Sequence, residues 1–314
     1  MAPQITQTQK TTDFAHISND VLGYSLGSLN EPVAMVKPDY SNKNVYMDDR
    51  LYGSFDMKEI VCDNDKIRLC HKEKYVIGEI SLKIYINGTE YASLLCLNQL
   101  TEELALGFLY SEGVIDTTDE VASISYNERL FAVMVNLIPG KSVEKCESLR
   151  SVTSGCGKCF TYINPLKNEK FLPVANQDRF SIRGILDAMA DFDRQSEVYK
   201  TVGGVHSVLF RHEAFSVFNE DIGRHNCFDK IGGVLLRNNK MDLVENGMLF
   251  VSGRVSSEII TKVIRLGVPI LVSRSTPTAS AVDLARKYNV TLMGYVRKRT
   301  GFVYAGEDRL MQEA

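Results

Sequence analysis

No stretch of this sequence is long and apolar enough to span a bilayer. Met1 to Lys10 contain no apolar run, so a secretory signal is not expected there. Neither sign of charge dominates. A net charge of -3 over 314 residues argues against a general nucleic-acid binder. No Gly-x-Gly-x-x-Gly follows a strand pattern and no Walker-type loop is present, which argues against the standard dinucleotide and P-loop sites. The seven cysteines are odd in number and scattered, which suits free thiols in a reducing cytoplasm. What is present is the apolar content of a globular chain, with length for one large domain or two ordinary ones.

The most informative stretch runs from Ser151 to Phe160 and carries Cys156 and Cys159. Gly155 and Gly157 bracket the first thiol and Lys158 lies between the two. A thiol reacts as the thiolate, and Lys158, with Arg150 nearby, favours the anion. The stretch reads as an exposed loop bearing a reactive sulfur. Spacing alone leaves four readings open: half a zinc site, a dithiol redox couple, a sulfur-carrying nucleophile, or ordinary cysteines in a turn. Cys62, Cys70, Cys96, Cys146 and Cys227 read as inert core or surface residues.

Residues 1 to about 30 are rich in Gln, Thr, Ser and Asn and read as a poorly ordered or surface-packed extension, and residues 31 to 74 show no clear period. From Ile80, apolar residues alternate with polar ones through Ile86. That predicts a half-buried strand, and Asn87-Gly88 predicts a tight hairpin back through Glu90 to Leu97. Thr101 is the expected cap of a helix with Glu102 and Glu103 in its first turn, ended by Gly113. Leu130 to Leu137 reads as a further strand. Beyond the cysteine stretch, Ser181 caps a predicted helix to Phe192, and strands are expected near Ser207–Arg211 and Ala214–Phe218. The pattern then repeats as strand, polar loop and helix. Helices are expected to end near Arg237, at Leu266 before Gly267, and at Tyr288, and a last strand covers Thr291–Val296. This alternation implies an α/β fold with a mostly parallel sheet covered by helices on both faces. The organisation expected is an N-terminal extension (1–74), a small α/β unit (75–150) and a main α/β domain (151–314).

In such sheets ligands bind beyond the carboxyl ends of the strands. Those ends carry loops with Arg224, Arg254, Arg274 and Arg297, with Lys230, Lys262 and Lys298 close in sequence. Ser252, Ser256, Ser257, Ser273 and Ser275 add hydroxyls, and several of the loops lead into helix N-termini. Arginine forks and helix N-termini suit phosphate oxygens. The expected site is a crevice for a phosphorylated ligand, against the plainer reading that each arginine is a solvated charge. His206, after Gly203-Gly204, and His225, beside Arg224, are candidate catalytic groups or ordinary structural histidines. His71-Lys-Glu73 followed by Cys156-x-x-Cys159 superficially matches a zinc deaminase pattern. Gly155 stands where that pattern has proline, and His71 precedes a strand rather than opening a helix.

Taken together, several segments resemble the formate dehydrogenase accessory sulfurtransferase family (FdhD). They are Ser154-Gly-Cys-Gly-Lys-Cys159, Gly203-Gly-Val-His206, Glu220-Asp-Ile-Gly-Arg-His-Asn226 with Asp229-Lys230, Ser252-Gly-Arg254 with Ser256 and Glu258, Lys262, Pro277-Thr278, and Gly294-Tyr-Val-Arg297 with Tyr304. The likeness runs in order from about Glu79 to Tyr304. It implies a cytidine-deaminase-like α/β fold without the deaminase zinc, in a cytoplasmic, dimeric protein. The implied activity takes sulfur from a cysteine desulfurase as a persulfide on Cys156, with Cys159 beside it. The sulfur passes to the molybdenum or tungsten bis(molybdopterin guanine dinucleotide) cofactor of formate dehydrogenase. Tyr295, Val296, Arg297, Lys298, Arg299 and Thr300 are the implied cofactor-binding segment. Arg224, His225, Ser252, Arg254, Ser273 and Ser275 are the further expected contacts. No zinc, nucleic acid or membrane partner is expected. A cofactor-binding chaperone without sulfur transfer, or a zinc or redox protein built on the cysteine pair, are the alternatives.

Overall fold

A computed structural model of the chain describes residues 35–36, 51–64, 66–141, 143, 150–152, 171–175 and 178–312. The first elements are a short strand β1 (Met35–Val36) and a long two-stranded ribbon, β2 (Tyr52–Asp63) and β3 (Lys66–Ile77). Among the described residues neither face of the ribbon is covered along most of its length, so its sequence shows no single buried face. Its signal was nevertheless there: Ile67 and Leu69 alternate with Lys66 and Arg68, and Asn64 adopts a positive φ at the turn.

The next strands behave as their periodicity demands. In β4 (Ile80–Ile86) Ile80, Leu82, Ile84 and Ile86 are buried while Ser81 and Lys83 face water. Asn87 and Gly88 both take positive φ, the signature of a type I′ turn whose twist matches the flanking strands, and β5 (Thr89–Cys96) returns antiparallel. Helix α1 (Thr101–Ser111) follows. Thr101 does not cap it. The cap position is Leu100, in a left-handed conformation with no side-chain bond, and Thr101 is already buried in the first turn. The first-turn carboxylates Glu102 and Glu103 instead face Arg237 of a distant helix, each 2.7 Å from its Nη1. Strands β6 (Val121–Asn127), β7 (Ala132–Leu137) and β8 (Arg150–Val152) complete a five-stranded sheet in the order β6-β7-β4-β5-β8.

After β9 (Phe180–Ser181), helix α2 (Ile182–Gln195) starts as expected, with Ser181 Oγ accepting from Gly184 N at 3.0 Å. The remaining elements are α3 (Glu197–Thr201), β10 (His206–Arg211), β11 (Ser216–Asp221), α4 (Arg224–Arg237), β12 (Met248–Val251), α5 (Ser257–Leu266), β13 (Ile270–Ser273), α6 (Ala279–Lys287), β14 (Thr291–Arg297), β15 (Thr300–Ala305) and β16 (Leu310–Met311). They build a seven-stranded sheet in the order β1-β11-β10-β12-β13-β14-β15. The sheet is mixed, not mostly parallel. β10 and β15 run against their neighbours because each is one arm of a hairpin too short for a crossover.

Helices cover both faces of this sheet. Leu209, Phe218, Phe250, Val272 and Met293 point to α2, which contributes Ile185, Met189 and Phe192. Val208, Phe210, Leu249 and Leu271 point the other way, into a core shared with α1, α4, α5 and the small sheet. The two sheets are joined through α1 and α4, which cross at glycine. A Cβ on Gly107 would lie 1.7 Å from the Asp229 carbonyl oxygen, and one on Gly233 would lie 1.8 Å from that of Glu103. Only glycine permits backbones this close.

Candidate functional site

Strands β11, β12, β13 and β14 are mutually parallel, so their carboxyl ends fall on one edge of the large sheet. That edge brings together the loops of Arg224, Arg254, Arg274 and Arg297. The loops interlock through backbone oxygens: Arg224 Nη1 donates to the Arg254 carbonyl, and Arg297 Nε donates to the Arg274 carbonyl at 2.7 Å. Arg274 Nε also sits 3.2 Å from Asp193 of α2. Arg254 and Arg297 are exposed. Helices α4, α5 and α6 all open toward this edge, and Ser256 and Thr278 cap α5 and α6. The arrangement offers guanidinium groups and helix N-termini to an anion.

Sequence proximity misled for the lysines. Lys230 is fully buried, 2.6 Å from Asp221, and Lys262 is buried 2.5 Å from Asp229. Neither faces a ligand. Asp221 Oδ1 accepts from Gly223 N and Asn226 Nδ2, and Oδ2 accepts from Leu97 N beyond the end of β5. Asn226 Nδ2 also donates to the Leu95 carbonyl at 2.8 Å. Ser111 of α1 donates to Asp229 at 2.7 Å. Much of the Glu220–Lys230 stretch is thus a buried polar lattice that fixes the small sheet and α1 against α4. Its Coulomb attraction raises the Lys230 pKa although burial opposes it. Burial, with Asp221 adding to it, pushes the Cys96 and Cys227 thiols up, so both are neutral and inert.

Two histidines flank the arginines. His206 opens β10 opposite Asp221, and its Nδ1 lies 3.1 Å from where a Cβ on Gly253 would stand. Burial holds its pKa below the ordinary value, helped by Arg224 and His225. His225 Nε2 lies 2.8 Å from Glu258 in the first turn of α5, and the hydrogen bond lowers the Glu258 pKa. Across the edge, burial raises the Asp193 pKa, against the pull of Arg274 and Arg297.

The β14–β15 hairpin carries the most unusual backbone. Tyr295 (φ 53°), Lys298 (φ 47°) and Arg299 (φ 67°) all adopt the left-handed region without being glycine. Tyr295 sits in an irregularity of the ladder between Gly294 and Arg297, which aims its ring outward beside Phe302. Strain of this kind persists only where the surroundings enforce it, and it concentrates at ligand sites.

The structure distributes the expected contact residues unevenly. Tyr295, Arg297, Lys298, Arg299 and Thr300 lie on the exposed hairpin, with Arg299 paired to Asp187 at 2.7 Å. Val296 points into the core around α2. Ser273 Oγ donates to the Gly253 carbonyl and accepts from Ser275 N, so it braces two loops against each other. Ser252 Oγ accepts from Ser207 N. Cys156, Cys159 and Cys146 lie outside the described residues. Asp193 was not singled out by the sequence, and Glu258 entered only as part of the Ser252–Glu258 segment that carries the resemblance, without a role of its own.

These features define a mixed α/β protein whose parallel strand ends gather arginines and helix N-termini on one edge. The FdhD/NarQ family model matches residues 77–311, and the chain belongs to that family. It is 32% identical over 244 residues to a sulfur carrier protein FdhD of Bacillus subtilis, covering 76% of this chain and 92% of the relative. It is 32% identical over 248 residues to the sulfur carrier protein FdhD of Geobacillus kaustophilus, covering 78% and 93%. The fold also matches a Desulfotalea psychrophila crystal structure described as a formate dehydrogenase accessory protein. The TM-score is 0.67 at 24% identity, over 82% of this chain and 99% of that one.

Proposed function

We propose that this protein is a sulfur carrier. It takes sulfur from a cysteine desulfurase as a persulfide on Cys156 and delivers it to a bis(molybdopterin guanine dinucleotide) cofactor needed by formate dehydrogenase. One juxtaposition carries the reading. Strand β8 runs parallel to β5, with Val152 opposite Leu94. Just beyond, Leu95 and Leu97 are bonded to Asn226 and Asp221, directly behind Arg224 and His225. Cys156 follows Val152 by four residues, a reach of at most about 14 Å. A thiol on so short a tether cannot stray far from the arginine edge. The names of the relatives support sulfur carriage.

The chemistry closes on the two thiols. The Cys156 thiolate attacks the terminal sulfur of the donor persulfide, and the donor's cysteine leaves as thiolate. Release as sulfide then requires two electrons. Cys159 supplies them by attacking the Cys156 sulfur, expelling hydrosulfide toward the metal of the bound cofactor and leaving a Cys156–Cys159 disulfide for later reduction. The arginines hold the phosphates of the cofactor, which is the substrate here. Anchoring makes delivery effectively unimolecular.

Intact mass after incubation with a desulfurase and cysteine tests the reading. The expected result is a gain of one sulfur, removed by reductant and absent in Cys156→Ala, with formate dehydrogenase left inactive by that variant. A chain that gains no sulfur yet still activates formate dehydrogenase is a cofactor chaperone instead.

A further inference from the structure

Helix α2 lies across one face of the large sheet, and Phe192 pins its last turn there, edge to face with Phe218 at 5.9 Å and tilted against Phe250 at 6.5 Å. Asp191 and Asp193 stand one step to either side of Phe192, about 200° apart around the helix axis. They reach opposite edges of the sheet. Asp191 meets Arg194 of its own helix and Arg211, which pairs with Met248 at the start of β12. Asp193 turns to the strand ends, where its Oδ1 lies 3.2 Å from Arg274 Nε.

The Asp193 carboxylate is poorly satisfied. Its Oδ1 is shut off from water and, among the described residues, stands at ion-pair distance from Arg274 without a hydrogen bond. Burial disfavours the charge, while Arg274 and Arg297 pull the other way. Leaving a buried polar atom so little compensated costs stability. The packing of α2 does not call for a charge here, because Ile185, Met189 and Phe192 supply its contact with the sheet.

The effect of Asp193 falls on the arginine edge. Arg254 and Arg297 are exposed, whereas the half-buried Arg274 already faces a carboxylate. Arg297 Nε donates to the Arg274 carbonyl at 2.7 Å, which joins the two arginines into one unit with Asp193 beside it. A phosphate approaching Arg274 must displace that carboxylate or sit next to a like charge.

We infer that Asp193 is a built-in counter-anion of the arginine edge, which competes with phosphate for Arg274 and holds down the affinity for a phosphorylated ligand that has to be handed on. The inference rests on the phosphate-holding role proposed for this edge and adds the residue that tunes it. Asp193 acts through Arg274 and touches no ligand itself.

Titration calorimetry of the full-length chain with GDP, and with guanosine as its uncharged counterpart, tests the inference. Asp193→Asn keeps the shape of the side chain and removes its charge. GDP should bind this variant about threefold to fivefold more tightly, the worth of a partly exposed ion pair. High salt should shrink the gain, and guanosine should show none. Asp191→Asn removes the same charge from the other side of α2 and should stay within about twofold of the parent. A purely structural Asp193 would lose affinity on substitution or leave it unchanged, so the gain is diagnostic. If the parent binds GDP and Asp193→Asn binds it no better, or Asp191→Asn gains as much, the inference falls and the phosphate edge stands. If the parent binds no GDP, the phosphate reading of the edge fails and takes this inference with it.

Discussion

Helix α4 and the strand that feeds it contain two populations of charge, and their fates differ. Asp221, Asp229 and Lys230 are buried and locked into pairs. Arg224, three residues from Asp221, lies in a loop-bonded cluster at the sheet edge with the exposed Arg254. The inner set is an architectural device: it ties the end of β5 and helix α1 to α4 so that the β8 segment enters beside the edge. The outer set is available to a ligand. A stretch dense in charged residues is therefore not one site. Burial separates a scaffold, costly to break, from an exposed set whose loss should cost little stability.

The sharpest way to break this division is Asp221→Ala. It strands Lys230 in the core and leaves Leu97 N and Gly223 N without their acceptor. A loss of about 3–5 kcal/mol is expected in urea unfolding, or failure to accumulate as folded protein. A stable Asp221→Ala would move Asp221 out of the scaffold.

Next in size is the glycine crossing. Gly233→Ala forces the α1 and α4 backbones apart, since the added Cβ meets the Glu103 carbonyl. The expected cost is about 1–3 kcal/mol by the same measurement, with Gly107→Ala similar. Because the separation also shifts the end of β5, sulfur loading should fall in these variants although they touch no site residue.

For the outer set the order inverts. Arg254→Ala and Arg297→Ala should each weaken GDP binding, as a mimic of half the cofactor, by roughly tenfold in titration calorimetry. Stability should stay within about 0.5 kcal/mol of the parent. Unchanged GDP affinity would return these arginines to the status of solvated charges.

The smallest effect is a pH dependence. The folded pKa of His206 lies below the ordinary 6.5, so the unfolded chain takes up the proton first as pH falls. The stability due to neutral His206 is complete above 6.5 and is lost as pH drops toward the folded value. His206→Gln should flatten the unfolding midpoint in that window. Below 4.5 the dependence should remain, because the lowered pKa of Glu258 acts there. A slope near pH 6 that survives in His206→Gln would locate the titration elsewhere.

Some of this was legible before any fold was seen. The Ile80–Ile86 alternation, the Asn87-Gly88 turn, the Ser181 cap and the Gly267 stop each depend on a few chain neighbours, and each appears in place. So does the gathering of the arginine loops, which needs only that successive strands run the same way. The sequence alone determined these because periodicity, caps and turn residues act over one or two turns of chain. Only the tertiary structure decided which charges are consumed. Lys230 and Arg224 look equally like ligand contacts on paper. Lys230 is not, because a carboxylate nine residues earlier is buried with it and completed by the backbone just past a strand more than a hundred residues away. Thr101 reads as a cap, yet Arg237 of α4 meets the first-turn acids of its helix instead. Desolvation is a property of the assembled core, and no local pattern encodes it.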